Sequence, residues 1–166
     1  MGRTVQTSLY AGVLFSVLAA LAWASGNPFI FPSLGPSAFM LAADDDTLSP
    51  RRVVGGHLVG ALSGLVSYML LAGGVTITAT FAPASLAGGQ LVASAILSIV
   101  LTSIGMFETD TVHAPACATT LIVSLGVLSS PEEAALMVVS VAVLVATHLV
   151  FTRSVGWVDA RTTSQT

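Results

Sequence analysis

The sequence has no lysine, a single cysteine and few charges of either sign. Charged residues make up 8% of its 166 positions and hydrophobic residues 54%. A soluble domain carries roughly 25% charged residues because its surface must stay hydrated. A water-soluble enzyme or secreted domain is therefore excluded, and a mean hydropathy of +0.92 makes lipid the solvent. The net charge of −3, with no basic run, gives no footprint for nucleic acid. Cys117 alone rules out an internal disulfide and any multi-cysteine metal site. The three histidines, His57, His113 and His148, form no His-x-x-x-His pair, so no metal or other cofactor is expected. No Ser/His/Asp set, glycine-rich phosphate loop or pair of buried carboxylates is present, and an enzyme is not expected.

What remains is a single transmembrane domain over residues 1–166, all α-helical. Four segments, Ser8 to Gly26, Arg52 to Ala72, Ser85 to Phe107 and Glu132 to Phe151, each offer about 20 apolar residues, enough at about 1.5 Å per residue to cross the hydrocarbon. The first could pass for a signal peptide ending at Ala22-Trp23-Ala24-Ser25, but its near-spanning length and the spans that follow read as a first transmembrane helix. Two further apolar stretches are broken by proline. Asn27 to Ala43 holds Pro28, Pro32 and Pro36, and Thr111 to Ser130 opens with Val112-His113-Ala114-Pro115 and then runs on to Leu128. Proline lacks a backbone donor yet suits the first turn of a helix. Each stretch is thus expected to be extended up to Pro36 or Pro115 and helical after it.

The two halves share a plan: a full helix, a Pro-initiated segment, a Ser-Pro turn (Ser49-Pro50; Ser130-Pro131), a charged pair and a second full helix. The pattern predicts a 3+3 repeat, copy one about 8–72 and copy two about 85–151. If all six segments cross from a cytoplasmic N-terminus, Arg3, Arg51, Arg52, Arg153 and Arg161 all fall on the cytoplasmic side, as the positive-inside rule favours. An odd number of crossings per copy inverts the second copy, and inverted repeats with discontinuous helices are a transporter architecture. The acidic run Asp44-Asp45-Asp46 then lies in a loop, and Trp23 and Trp157 sit near segment ends as interfacial aromatics do.

In this arrangement the helix N-termini at Pro36 and Pro115 approach each other inside the membrane. Helix N-termini attract anions through unpaired N–H groups and the helix dipole. The expected contacts are the amides of Ser37, Ala38, Ala116 and Cys117, beside Gly35, Pro36 and Pro115, with the Ser37 hydroxyl and the His113 imidazole. The other reading is that neighbouring groups or water simply satisfy these amides. His57 is a further intramembrane ionisable group, either packed and hydrogen-bonded or functional. Glu108 and Asp110, close before His113, are read as solvated loop acids, the alternative being part of a proton path. Gly56, Gly60 and Gly64, at four-residue spacing, make a close-packing face, internal or between subunits.

Ser33-Leu34-Gly35-Pro36-Ser37-Ala38 resembles the first signature of the HPP family of membrane proteins, and Ser49-Pro50-Arg51-Arg52-Val53-Val54-Gly55-Gly56-His57-Leu58 its second. His113-Ala114-Pro115-Ala116-Cys117-Ala118 falls where that family carries its His-Pro-Pro motif. The resemblance covers about Pro28 to Leu128. Ala114 replaces the first proline of the motif, and Arg52 stands where the family usually has asparagine. The resemblance implies a small polytopic helical protein, and some plastid and cyanobacterial members are associated with nitrite transport.

The function expected is a transporter or channel for a small monovalent anion, nitrite first, in the cell membrane and with room for a homo-oligomer. The alternative is a structural or sensory membrane subunit. The six-crossing arrangement predicts that a cysteine introduced as Arg51→Cys reacts with a membrane-impermeant maleimide only from the cytoplasmic side. Reaction from outside would leave four crossings and remove the inverted repeat.

Overall fold

The computed structural model describes residues 2–43 and 48–163, with side chains described to Ser154. Asp44-Asp45-Asp46 lies outside the described residues, and the side chains of Arg3, Trp157 and Arg161 lie outside those described. The described chain is six helices: α1 Arg3–Ser25, α2 Ile30–Ala43, α3 Pro50–Leu71, α4 Leu86–Glu108, α5 Ala116–Ser124 and α6 Pro131–Thr163. Four of them, α1, α3, α4 and α6, are long and apolar enough to cross a membrane. At about 1.5 Å per residue, α2 and α5 fall short of the roughly 30 Å hydrocarbon.

Local chemistry sets most helix boundaries. Ser49 caps α3 by accepting from the Arg52 amide at 3.3 Å, with Pro50 in the first turn, and Ser85 caps α4 by accepting from Gly88. Ser130 and Glu133 form a reciprocal capping box at α6: the Ser130 amide donates to Glu133 Oε2 at 3.0 Å, and the Glu133 amide to Ser130 Oγ at 3.2 Å. Gly26, at φ 70°, ends α1 and turns the chain into α2.

The proline-broken segments differ from expectation in two places. α2 starts at Ile30, so Pro36 lies inside the helix and does not begin it. The first turn closes earlier, where the Ile30 amide donates to Asn27 and the Phe31 amide to Pro28. Pro36 then removes one ladder bond and sits on the exposed side, while Ile30, Ser33, Leu34 and Ser37 are buried. Packing of that face offsets the roughly 3 kcal/mol that an interior proline costs. α5 does start beside Pro115, but it ends at Ser124 instead of running to Leu128. Gly126 takes φ 75° there, and the Ile77 amide donates to the freed Leu125 carbonyl at 2.9 Å.

Contacts between side chains give each helix a direction. Phe15 on α1 packs against Gly35 on α2 across the short turn at Gly26. Ser33 and Ser37 on α2 meet Thr119 on α5 and His113 just before it, so those elements are antiparallel. Arg51 at the start of α3 donates to the Thr109 carbonyl at the end of α4, and Arg52 pairs with Asp110 at 3.1 Å. Tyr10, early in α1, bonds His148 and stacks on Phe151, late in α6. Successive helices therefore run in alternating directions. The described arginines Arg51, Arg52 and Arg153 and the start of α1 lie at one end of the bundle.

The main pairings are α1 with α2 and α6, α2 with α5 and α6, α3 with α4, α5 and α6, and α4 with α5. This set maps onto itself when α1, α2 and α3 are exchanged with α4, α5 and α6. An apolar core of Leu14, Leu18, Ile30, Leu34, Met137, Val141 and Leu144 fills one side of the bundle. On the other side, α5 lies along α3 on the glycine stripe. A Cβ at Gly60 would come 2.6 Å from Thr120 Oγ1 and 3.0 Å from the Ala116 carbonyl, and one at Gly64 would come 2.8 Å from Val123 Cβ. The stripe is an internal seam.

Gly60→Ala is thus expected to destabilise the protein by about 1–3 kcal/mol through overpacking against the α5 backbone. Gly12→Ala, where an added Cβ meets nothing within 4 Å, should be neutral or stabilising by up to about 1 kcal/mol. Thermal unfolding of both variants in detergent checks the pair.

Candidate functional site

Polar side chains in a hydrocarbon slab need partners, because an unpaired buried polar group costs several kcal/mol. The described helices concentrate such groups where α2, α3 and α5 meet. Ser33 and Ser37, one turn apart, share a face of α2, and His57 projects from α3. His113 lies in the non-helical segment before α5 and Thr119 on α5 itself; all five are buried. Their contacts form a chain. Ser33 Oγ lies 2.6 Å from Thr119 Oγ1, and Thr119 Oγ1 lies 2.6 Å from His57 Nδ1. His57 Nε2 lies 2.8 Å from Ser37 Oγ, which in turn lies 2.9 Å from His113 Nε2. The two rings are tilted by 55° with centroids 5.5 Å apart. The far nitrogen of the chain, His113 Nδ1, is buried without a hydrogen-bond partner.

The backbone explains why the rings meet. Gly56 leaves room for His113: a Cβ there would come 2.9 Å from His113 Cβ and 3.0 Å from the Thr111 carbonyl. The Ala116 and Cys117 amides donate to the His113 and Ala114 carbonyls at 3.0 and 3.1 Å and close the first turn of α5. A second polar layer borders the chain on α4. Ser94, Ser98 and Thr102 are buried at four-residue spacing; Thr102 bonds Thr120 at 3.0 Å, and Ser94 donates to the Ser124 carbonyl at 2.8 Å.

The expected site residues thus separate into two groups. Ser37, His57 and His113 come together in one hydrogen-bonded centre. Ala38 is part of the apolar core, Gly35 packs on Phe15, Pro36 is exposed, and Ala116 is buried while Cys117 and Pro115 are half-buried. The amides expected to stand free have partners within the chain, for two reasons. The N-terminus of α2 lies at Ile30, so Ser37 and Ala38 are inside a helix, and the Ala116 and Cys117 amides already have turn partners. Ser33 and Thr119 were not singled out by sequence as site residues. The signals for Ser33 were its place at the head of the 33–38 run and its spacing of four from Ser37, and Thr119 had none apart from the fold. Glu108 is exposed at the end of α4, and Asp110 pairs with Arg52 at the surface. Two apolar grooves, one along α6 at Val143, Thr147 and Phe151 and one between α3 and α6 at Leu58, Leu62 and Val138, are lined by neither His57 nor His113.

A family profile described as HPP, transmembrane region, matches residues 2–164. No curated protein and no solved structure matches.

Because Ser37 Oγ is the shared partner of both rings, Ser37→Ala leaves two buried ring nitrogens short of a bond. The expected loss is about 1–3 kcal/mol for each orphaned group. Ser37→Thr, which keeps the hydroxyl, should recover most of it. Thermal unfolding in detergent distinguishes the two variants.

Proposed function

We propose a function for this chain on the premise that it belongs to the HPP transmembrane family, which its match over residues 2–164 shows. It is a membrane transporter or channel for a small monovalent anion, and nitrite is the first candidate. The observation that carries the reading is the buried histidine pair on one serine hydroxyl, with His113 Nδ1 left unpartnered. Ionisable groups deep in a membrane bundle are expensive and mark substrate or proton pathways. In the tautomer that carries its proton on Nδ1, His113 offers a desolvated N–H donor, and such a donor holds an anion more strongly than it would in water.

The alternating helix directions and the self-mapping pairing support a 3+3 inverted repeat, with α1–α3 and α4–α6 as its copies. The polar centre then lies between the copies, as substrate sites do in repeats of this kind. The arginine-bearing end is cytoplasmic in this arrangement, consistent with the positive-inside rule. Side chains, not free backbone amides, provide the contacts.

The test is uptake into liposomes containing the purified protein, comparing nitrite with chloride, nitrate and formate. Saturable uptake that prefers nitrite and falls about a hundredfold in Ser37→Asp and in His113→Ala supports the reading. No flux of any anion, from protein shown to be folded and inserted, overturns it in favour of a membrane subunit without transport.

A further inference from the structure

Ser37 has one hydroxyl hydrogen and sits within bonding distance of two ring nitrogens, 2.8 Å from His57 Nε2 and 2.9 Å from His113 Nε2. These rings are its only side-chain partners among the described contacts, so its buried hydrogen is satisfied only when it donates to one ring and accepts from the other. When both rings are neutral, one Nε2 therefore carries a hydrogen and the other does not. A neutral imidazole has one N–H, so the two rings must hold opposite tautomers.

Two complete arrangements satisfy every contact. In the first, Ser33 donates to Thr119, Thr119 to His57 Nδ1, His57 Nε2–H to Ser37 and Ser37 to His113 Nε2, which leaves the proton of His113 on Nδ1. In the second each of these bonds is reversed: His113 Nε2–H donates to Ser37, Ser37 to His57 Nε2, His57 Nδ1–H to Thr119 and Thr119 to Ser33. His113 Nδ1 is then a bare acceptor. Heavy-atom spacings of 2.6–2.9 Å let the same side chains serve both.

We propose that Ser33, Thr119, His57, Ser37 and His113 form a single-file proton relay that switches between these two polarities. Starting from the second arrangement, a proton arrives at His113 Nδ1 from water or from a protonated weak acid. The Nε2 proton of His113 passes to Ser37, that of Ser37 to His57 Nε2, that of His57 Nδ1 to Thr119 and that of Thr119 to Ser33; the Ser33 hydroxyl proton leaves once water reaches that buried end of the chain. One proton enters, one leaves, no bond between heavy atoms changes, and the chain ends in the first arrangement. The run is concerted, so no charged hydroxyl persists.

Each link is a direct bond between buried side chains, and the spacings leave no room between them for anything larger than a proton. Sustained conduction requires the chain to return to its starting polarity after each passage by reorientation of its rings and hydroxyls, and rings buried to 0% and 2% exposure turn slowly, so the relay passes one proton per reset. The other titratable groups near these elements, Cys117 on α5 and Glu108, Asp110, Arg51 and Arg52 at the ends of α3 and α4, make none of these bonds. The relay stands without the anion reading.

Nitrogen NMR of the histidine-labelled protein in liposomes tests the coupling directly. Opposite tautomers at His57 and His113 are expected at neutral pH, with the coupling lost in Ser37→Ala and kept in Ser37→Thr. Two rings in the same tautomer, or either as imidazolium, overturn the proposal. A second measurement follows proton uptake down an imposed pH gradient at clamped voltage, with and without nitrite. Wild type and Ser37→Thr should conduct about a hundredfold faster than Ser37→Ala and Thr119→Val. Equal rates in wild type and Ser37→Ala overturn the relay, and nitrite flux without protons would do so while leaving the anion reading intact. Proton flux without any anion flux would keep the relay and remove the anion reading.

Discussion

The close approach of α3 and α5 is the constraint on which the polar centre depends. Gly56, Gly60 and Gly64 present bare backbone to His113, Thr120, Ala116 and Val123 at distances where a methyl group would already collide. In lipid, helices gain little from hydrophobic exclusion and associate through packing and hydrogen bonds, so small residues at a seam matter more than in water. α5 is only nine residues long and could not hold a position by itself. The seam fixes it along α3, and that placement brings His113 and Thr119 to His57.

Once the seam is closed, the remaining polar groups have few choices. Thr119 bonds both Ser33 and His57, so a hydroxyl on α5 ties α2 to α3. Ser37 does the same between the two rings. Interhelical hydrogen bonds of this kind contribute about 0.6–2 kcal/mol each in membrane proteins, which is modest next to the penalty of leaving the groups unpaired. His113 Nδ1 is the ring atom left out of this chain. The chain is thus bonded along its length and open only at that terminal nitrogen.

Much of the architecture was legible in the sequence because lipid imposes simple rules. Long apolar runs must be helices, and Ser49-Pro50 and Ser130-Pro131 mark helix starts through capping chemistry that is local. The proline-rich segments were harder. Pro115 does stand at a helix start, whereas Pro36 lies within α2. The difference comes from neighbours: the turn at Asn27 and Pro28 starts α2 early, and the buried face from Ile30 to Ser37 carries it through the proline. Gly126 ends α5 by a left-handed turn that hydropathy does not register.

The sequence by itself determined that this is a membrane-embedded helical bundle, and it singled out Ser37, His57 and His113 as polar residues within it. These follow from composition, run length and residue type, which need no knowledge of contacts. Only the tertiary structure decided which of those residues share a hydrogen bond, that Ser33 and Thr119 complete the chain, and that backbone amides are already occupied. Hydrogen bonding acts over about 3 Å, and Ser37 is 76 positions from His113 along the chain. Distances that short between residues that far apart are set by how helices pack, and no local pattern encodes them.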